Sequence, residues 1–245
     1  MVPPGAVALV TGAAHRLGRA VALRLAAGGL SVAVHHRSRP REAAAVARRV
    51  RDLGAEAGVV SCDLAGPGRA EALVRSVERS LGPVEVLVSN AAVFRATPVA
   101  GRRRGNPERM LAVNLLAPWH LARAVAPGML ARGRGRIVNL GDAHADRPLR
   151  HHAVYAASKA GLHALTVSLA RDLAPAVQVN AVAPGAILLP AGAPESRRKA
   201  LERAIPMGRL GTPEEVAEAV AFLVFGPDFV TGEVLRVDGG RHCRA

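Results

Sequence analysis

Aromatic residues are scarce in this chain. Four phenylalanines, one tryptophan and one tyrosine make up 2% of 245 residues, although half of the chain is hydrophobic. The core must therefore be built from Ala, Val and Leu. Lysine is nearly absent too: of 33 basic residues, only Lys159 and Lys199 are not arginine. Two cysteines, Cys62 and Cys243, give neither a disulfide framework nor metal-ligand spacing, so no metal is expected. No apolar run is long enough to span a bilayer, and MVPPGAVALV lacks a basic region followed by a cleavable apolar segment. The expectation is a cytoplasmic protein with no membrane partner. Acidic residues number 19, leaving a formal charge of +14. Many arginines fall at helical surface spacing, as in residues 39–51, and read as solvated helix faces. No helix-turn-helix, zinc-finger or RNA-recognition pattern accompanies the charge, so nucleic acid is not the expected partner. A basic surface does attract phosphorylated or carboxylated ligands.

What the sequence does contain is alternation. Short Val/Ala/Leu runs at 6–10, 30–35, 57–62, 84–89, 135–141, 177–182 and 234–239 read as seven strands. Between them lie segments of helical period, at about 17–29, 40–54, 68–82, 109–131, 153–173 and 213–225. Apolar strands alternating with helices predict a parallel sheet covered on both faces. The fold class is therefore α/β, a single doubly wound Rossmann-like domain over residues 1–245. The Pro-, Gly- and Ala-rich stretch 184–206 reads as a loop and a candidate lid.

TGAAHRLG, residues 11–18, joins the first strand to the first helix. Glycine at such a turn lets the backbone approach a pyrophosphate, whose charge the helix N-terminus favours. Gly12, His15, Arg16, Leu17 and Gly18 are thus candidate cofactor residues. The second strand ends in His36, Arg37 and Ser38, where an NAD-binding chain usually carries an acid for the ribose hydroxyl. A guanidinium and a hydroxyl suit a 2′-phosphate, so NADPH is the expected cofactor; an arginine that merely starts the next helix is the alternative. Asp63 and Leu64, then Asn90 and Ala91, follow the third and fourth strands, where side chains can reach a ligand.

The sole tyrosine, Tyr155, and Lys159 stand four residues apart, on one face of a helix. A nearby ammonium stabilises phenolate, lowers the phenol's proton affinity and readies it for proton transfer near neutral pH.

TGAAHRLG, SNAA, Asn114, YAASK and the Pro184–Gly185 pair together resemble the short-chain dehydrogenase/reductase family across nearly the whole chain. The resemblance implies that Tyr155 is the general acid. It also implies that Lys159 holds the nicotinamide ribose, that Asn114 supports a water-linked proton relay, and that the protein is a homotetramer. Two positions depart from the general pattern. Arg16 stands at the usual middle glycine of the turn, and Asp142 stands at the usual catalytic serine, thirteen residues before the tyrosine. Both departures resemble the pteridine reductase subgroup, as do HRS, NAAVFRATP and DAHADRPL. That subgroup implies substrate contacts from Arg16, Phe94, Asp142, Tyr155 and Leu149, with His144 also lining the pocket and Arg244 entering a neighbouring subunit's site. Asp142 would accept from pterin N–H groups, or relay a proton if burial raised its pKa. The expected reaction is NADPH-dependent reduction of a pterin or folate. Reduction of a carbonyl, such as a 3-oxoacyl thioester or a quinone, is the nearest rival; a silent dinucleotide sensor is the other.

Overall fold

A computed structural model describes residues 2–100, 105–190 and 192–243. Seven strands form one sheet in the order β3-β2-β1-β4-β5-β6-β7, and every neighbouring pair is parallel. The strands are β1 (Val7–Val10), β2 (Ser31–His36), β3 (Ala57–Ser61), β4 (Val84–Ser89), β5 (Gly135–Leu140), β6 (Val177–Pro184) and β7 (Val234–Val237). The helices are α1 (Arg16–Ala27), α2 (Pro40–Asp52), α3 (Arg69–Leu81), α4 (Pro107–Leu111), α5 (Ala117–Ala131), α6 (Ala153–Leu173), α7 (Glu195–Ala204) and α8 (Pro213–Phe225).

The inner strands β1, β2, β4, β5 and β6 bury both faces, which is why their sequences are continuous apolar runs rather than alternating ones, whereas the edge strands β3 and β7 are only partly buried. Ala8 and Val10 of β1 join the core under α1, α2 and α8. Val7 and Leu9 point the other way, into the core under α3, α5 and α6. Strand order reverses between β1 and β4, so a crevice opens at their carboxyl ends, the place where such sheets bind ligands. Among the described residues, no helix is long and apolar enough to cross a membrane.

The structure differs from the sequence reading in two elements. The expected loop 184–206 contains α7, which buries none of its residues. A helix with no buried face leaves no apolar period in the sequence; the pairing of Arg198 with Glu202, one turn apart, supports it instead. The helix expected at 109–131 begins earlier, at Pro107, where the Asn106 side chain accepts from the Arg109 N–H at 2.8 Å. It is also interrupted by a π-helical turn at Ala112–Leu116. Such turns are frequent at functional sites, and this one carries Asn114.

Candidate active site

The turn after β1 is held from three sides. Gly12 has φ +65° and Arg16 has φ +52°. Left-handed backbone at a non-glycine costs roughly 1–2 kcal/mol, which explains why glycine is usual at the position Arg16 fills. A Cβ on Gly18 would overlap the Gly12 carbonyl oxygen, so the helix can approach the turn only as glycine. Thr11 Oγ1 accepts from the backbone N–H groups of Asn90 and Ala91, both at 2.9 Å. Asn90 Nδ2 donates back to the carbonyls of Thr11 at 2.7 Å and Gly12 at 3.2 Å. Asn90 therefore braces the turn through its Nδ2. The third brace is His35, which the sequence reading passed over. Its Nδ1 accepts from the Gly12 N–H at 3.1 Å, and its Nε2 lies 3.0 Å from the Cys62 carbonyl, to which it donates. Burial lowers its pKa to about 4, so the ring is neutral.

α1 begins with no side-chain cap and no acidic residue in its first turn. Its free N–H groups and partial positive charge fit a pyrophosphate. His15 sits at the cap; burial, then Arg39 and Arg16, lower its pKa. Arg37 and Ser38 are exposed at the end of β2. His36 is not a free ligand contact: its ring is buried, and Nδ1 accepts from the Arg39 N–H at 3.3 Å. Glu42, the first acid after β2, pairs with Arg39 at 2.8 Å. Asp63 is held by Arg109 of α4 through both carboxylate oxygens, at 2.8 and 2.9 Å, and Leu64 is core. Leu17 is half-buried against the α1 core. Pro184 ends β6, and a Cβ on Gly185 would crowd the Asp238 backbone. Arg16 reaches across the crevice to the Leu188 carbonyl, at 3.3 Å.

The catalytic side is built on α6. The Tyr155 hydroxyl donates to Asp142 Oδ2 at 2.6 Å. The other oxygen, Oδ1, accepts from the His144 backbone N–H at 2.7 Å and lies 3.1 Å from His144 Nδ1. Burial acts to raise the Asp142 pKa, but the bonds from His144 and Tyr155 outweigh it, and the carboxyl stays below its ordinary value. This corrects the idea of Asp142 as a proton relay with a raised pKa: it is an anionic acceptor. Tyr155 shifts the other way from expectation. Burial, the Asp142 charge and the bond to it push the phenol well above its ordinary value. Lys159 is buried and donates to the Leu140 carbonyl at 2.5 Å; burial lowers its pKa to about 8.

Asn114 does not offer a free amide. It accepts from the Val93 N–H at 2.7 Å and donates to the Val93 carbonyl at 2.9 Å and to Ser158 Oγ at 3.1 Å. Its side chain ties the π-helical turn to the segment after SNAA and to α6. Phe94 is half-exposed, its ring edge-on to Tyr155 at 4.7 Å and stacked on His152 at 4.6 Å. Asp142, Tyr155, Lys159 and Phe94 thus come together, while Arg16 is engaged elsewhere. Leu149 is exposed in the turn before α6, its carbonyl bonded by the His152 N–H. Arg244 lies outside the described residues.

A tyrosine acid, a buried lysine one turn on and a glycine-braced helix N-terminus at the sheet's switch point make a dinucleotide oxidoreductase site. A family model described as enoyl-(acyl carrier protein) reductase matches residues 12–242. 3β-Hydroxysteroid dehydrogenase 1 of Eggerthella lenta is 38% identical over 244 residues, covering 96% of this chain and 93% of that protein. The 3-oxoacyl-(acyl-carrier-protein) reductase of Vibrio cholerae is 35% identical over 244 residues, covering 97% and 98%. A gluconate 5-dehydrogenase from Burkholderia cenocepacia, solved with NADP and tartrate, superposes with a TM-score of 0.90 at 31% identity, covering 99% and 97%. These relatives are not named as pteridine reductases. Fold, site and relatives agree on one point: the chain belongs to the short-chain dehydrogenase/reductase family.

Proposed function

We propose that this oxidoreductase works as an NADPH-dependent reductase, with Tyr155 as proton donor and a carbonyl compound as substrate. The observation that carries the reductive direction is the 2.6 Å bond from the Tyr155 hydroxyl to Asp142. A phenol whose proton affinity is raised keeps its proton at neutral pH. The protonated phenol is the form that reduction requires, and no phenolate is present at neutral pH to take a proton from an alcohol. NADPH, when bound, supplies the hydride. Gly12, Gly18 and the first turn of α1 would cradle its pyrophosphate, and Arg37 with Ser38 would meet the 2′-phosphate. Lys159 would hold the nicotinamide ribose. The carbonyl class is supported by the relatives named for 3-oxoacyl and hydroxysteroid chemistry.

A second reading, reduction of a pterin or folate ring, has its own support in Asp142 and Phe94. An ionised carboxylate has no hydrogen to offer a ketone oxygen, whereas it can accept from a ring N–H or amino group. Phe94 offers a partly exposed aromatic face beside Tyr155, fit to stack on a flat heterocycle. NADPH and NADH oxidation with acetoacetyl thioester, a steroid ketone, dihydrobiopterin and dihydrofolate tests both readings. Turnover of the first pair alone supports the carbonyl reading. Turnover of the second pair alone replaces it with the pterin reading, and no turnover with either pair rejects both. A preference for NADH would reject the role given to Arg37 and Ser38.

We also propose self-association through the outer face of α5 and α6. Leu116, Trp119 and Leu130 project there at helical spacing, with Val167 of α6, and all are substantially exposed.

A further inference from the structure

Asp142 has two oxygens with different duties. One holds the Tyr155 hydroxyl; the other, among the described residues, is held by His144 through backbone N–H and ring. A carboxylate offers only lone pairs, so His144 Nδ1 must carry the hydrogen of the 3.1 Å contact. The remaining ring nitrogen is then the one that gains or loses a proton with pH. About a fifth of each side chain is exposed, 21% for His144 and 20% for Asp142, so solvent protons reach the pair.

We propose that His144 is a positioning residue of this site: its ring fixes the Asp142 carboxylate against Tyr155, and its charge sets how tightly that carboxylate holds the phenolic proton. With His144 neutral, Tyr155 faces an uncompensated anion and is a weak acid. With His144 protonated, the imidazolium cancels part of that anion, the phenol's proton affinity falls and Tyr155 becomes a better donor. Proton delivery therefore speeds up when His144 gains a proton. The gain is about threefold for each unit lost by the phenol, at a Brønsted slope of about one half.

Other charges lie around the pair. Lys159 and His163 of α6 both interact with Asp142, and Arg236 of β7 and Asp146 of the His144 loop interact with His163 and with each other. Burial, then Lys159 and Arg236, lower the His163 pKa. The Asp142 N–H donates to His163 Nε2 at 3.5 Å, and the Asp142 charge acts to raise the His163 pKa against that lowering.

The consequence for catalysis rests on the reductase reading, but the coupling can be tested without substrate. Tyr155 is the only tyrosine, so a chain labelled with 13Cζ-tyrosine gives one NMR resonance. In the wild type its shift should change with an inflection at a pH below the point where Lys159 loses its charge. His144→Asn keeps a donor near Nδ1 but cannot titrate; the inflection should vanish. His144→Gln serves if the Asn variant does not fold. His163→Asn should keep the inflection. An inflection that persists without His144, or that is absent from the wild type, overturns the proposal. Turnover of acetoacetyl thioester or dihydrobiopterin is the second arm. The wild-type rate should rise toward acid through the same inflection, and the His144→Asn rate should not. A chain that shows the NMR behaviour yet turns over no substrate refutes the reductase reading and leaves the His144–Tyr155 coupling standing.

Discussion

Burial and Asp142 both hold the Tyr155 proton on, and the Lys159 ammonium, four residues along the same helix, is weakened by burial to a pKa of about 8. Replacing Asp142 by Asn removes the anion and keeps the shape. The phenol should then ionise at a pH lower by at least about one unit, read as tyrosinate absorbance from the sole tyrosine; an unchanged titration would show that burial alone sets it. Tyr155→Phe should lower turnover by about 10²–10⁴-fold while NADPH binding, followed by nucleotide fluorescence, persists. That lysine and tyrosine share a helix face was legible from their spacing. The direction of the tyrosine's shift was not, because it depends on which residue the hydroxyl meets, and Asp142 arrives from a different element.

Element by element, the cofactor turn is held by contacts between strands. His35 joins β2 to the Gly12 turn and to the chain leaving β3. Its folded pKa, lowered by burial to about 4, lies below the ordinary histidine value of about 6.5. Between those values the unfolded chain binds the extra proton, so this contribution to stability is complete above pH 6.5 and is lost as pH falls toward 4. The loss is of order 3 kcal/mol. Urea denaturation across that range should show the decline, and His35→Asn should flatten it. Gly18→Ala forces α1 away from the Gly12 carbonyl; about 1–3 kcal/mol of stability and most NADPH affinity should be lost together, measured by thermal melting and nucleotide titration. The glycines of TGAAHRLG announced this turn in the sequence. Thr11 and Asn90 lay in marked motifs, but their bracing role and His35 altogether were not legible, since each acts across 23 to 80 positions of chain.

On the scale of the whole molecule, the sheet order places the catalytic helix α6 and the cofactor helix α1 on opposite faces of one crevice. The outer surface is basic, with a formal charge of +14, and it is interrupted by the apolar α5–α6 face. Trp119 is partly covered there by the Arg123 guanidinium, 5.4 Å from the ring centroid. Trp119→Glu places a charge in the proposed self-association surface. Sedimentation velocity should show a multimer converted to monomer with the circular dichroism of the fold retained; a wild type that sediments as a monomer would dismiss the surface.

The sequence by itself determined the parallel α/β architecture and the Tyr155–Lys159 pair, because apolar runs, helical period and glycine turns are local properties. It marked Asp142 as the residue that departs from its family. Only the tertiary structure decided what that departure does. Asp142 is ionised because His144 and Tyr155 both donate to it. Asn90 bonds backbone carbonyls of the Gly12 turn, and Asn114 bonds the Val93 backbone and Ser158, because the strands and the π-helical turn bring these groups to them. α7 forms where no apolar stripe foretold it. Each outcome depends on which groups a buried polar atom meets, and that is fixed by packing between distant segments rather than by the order of residues along the chain.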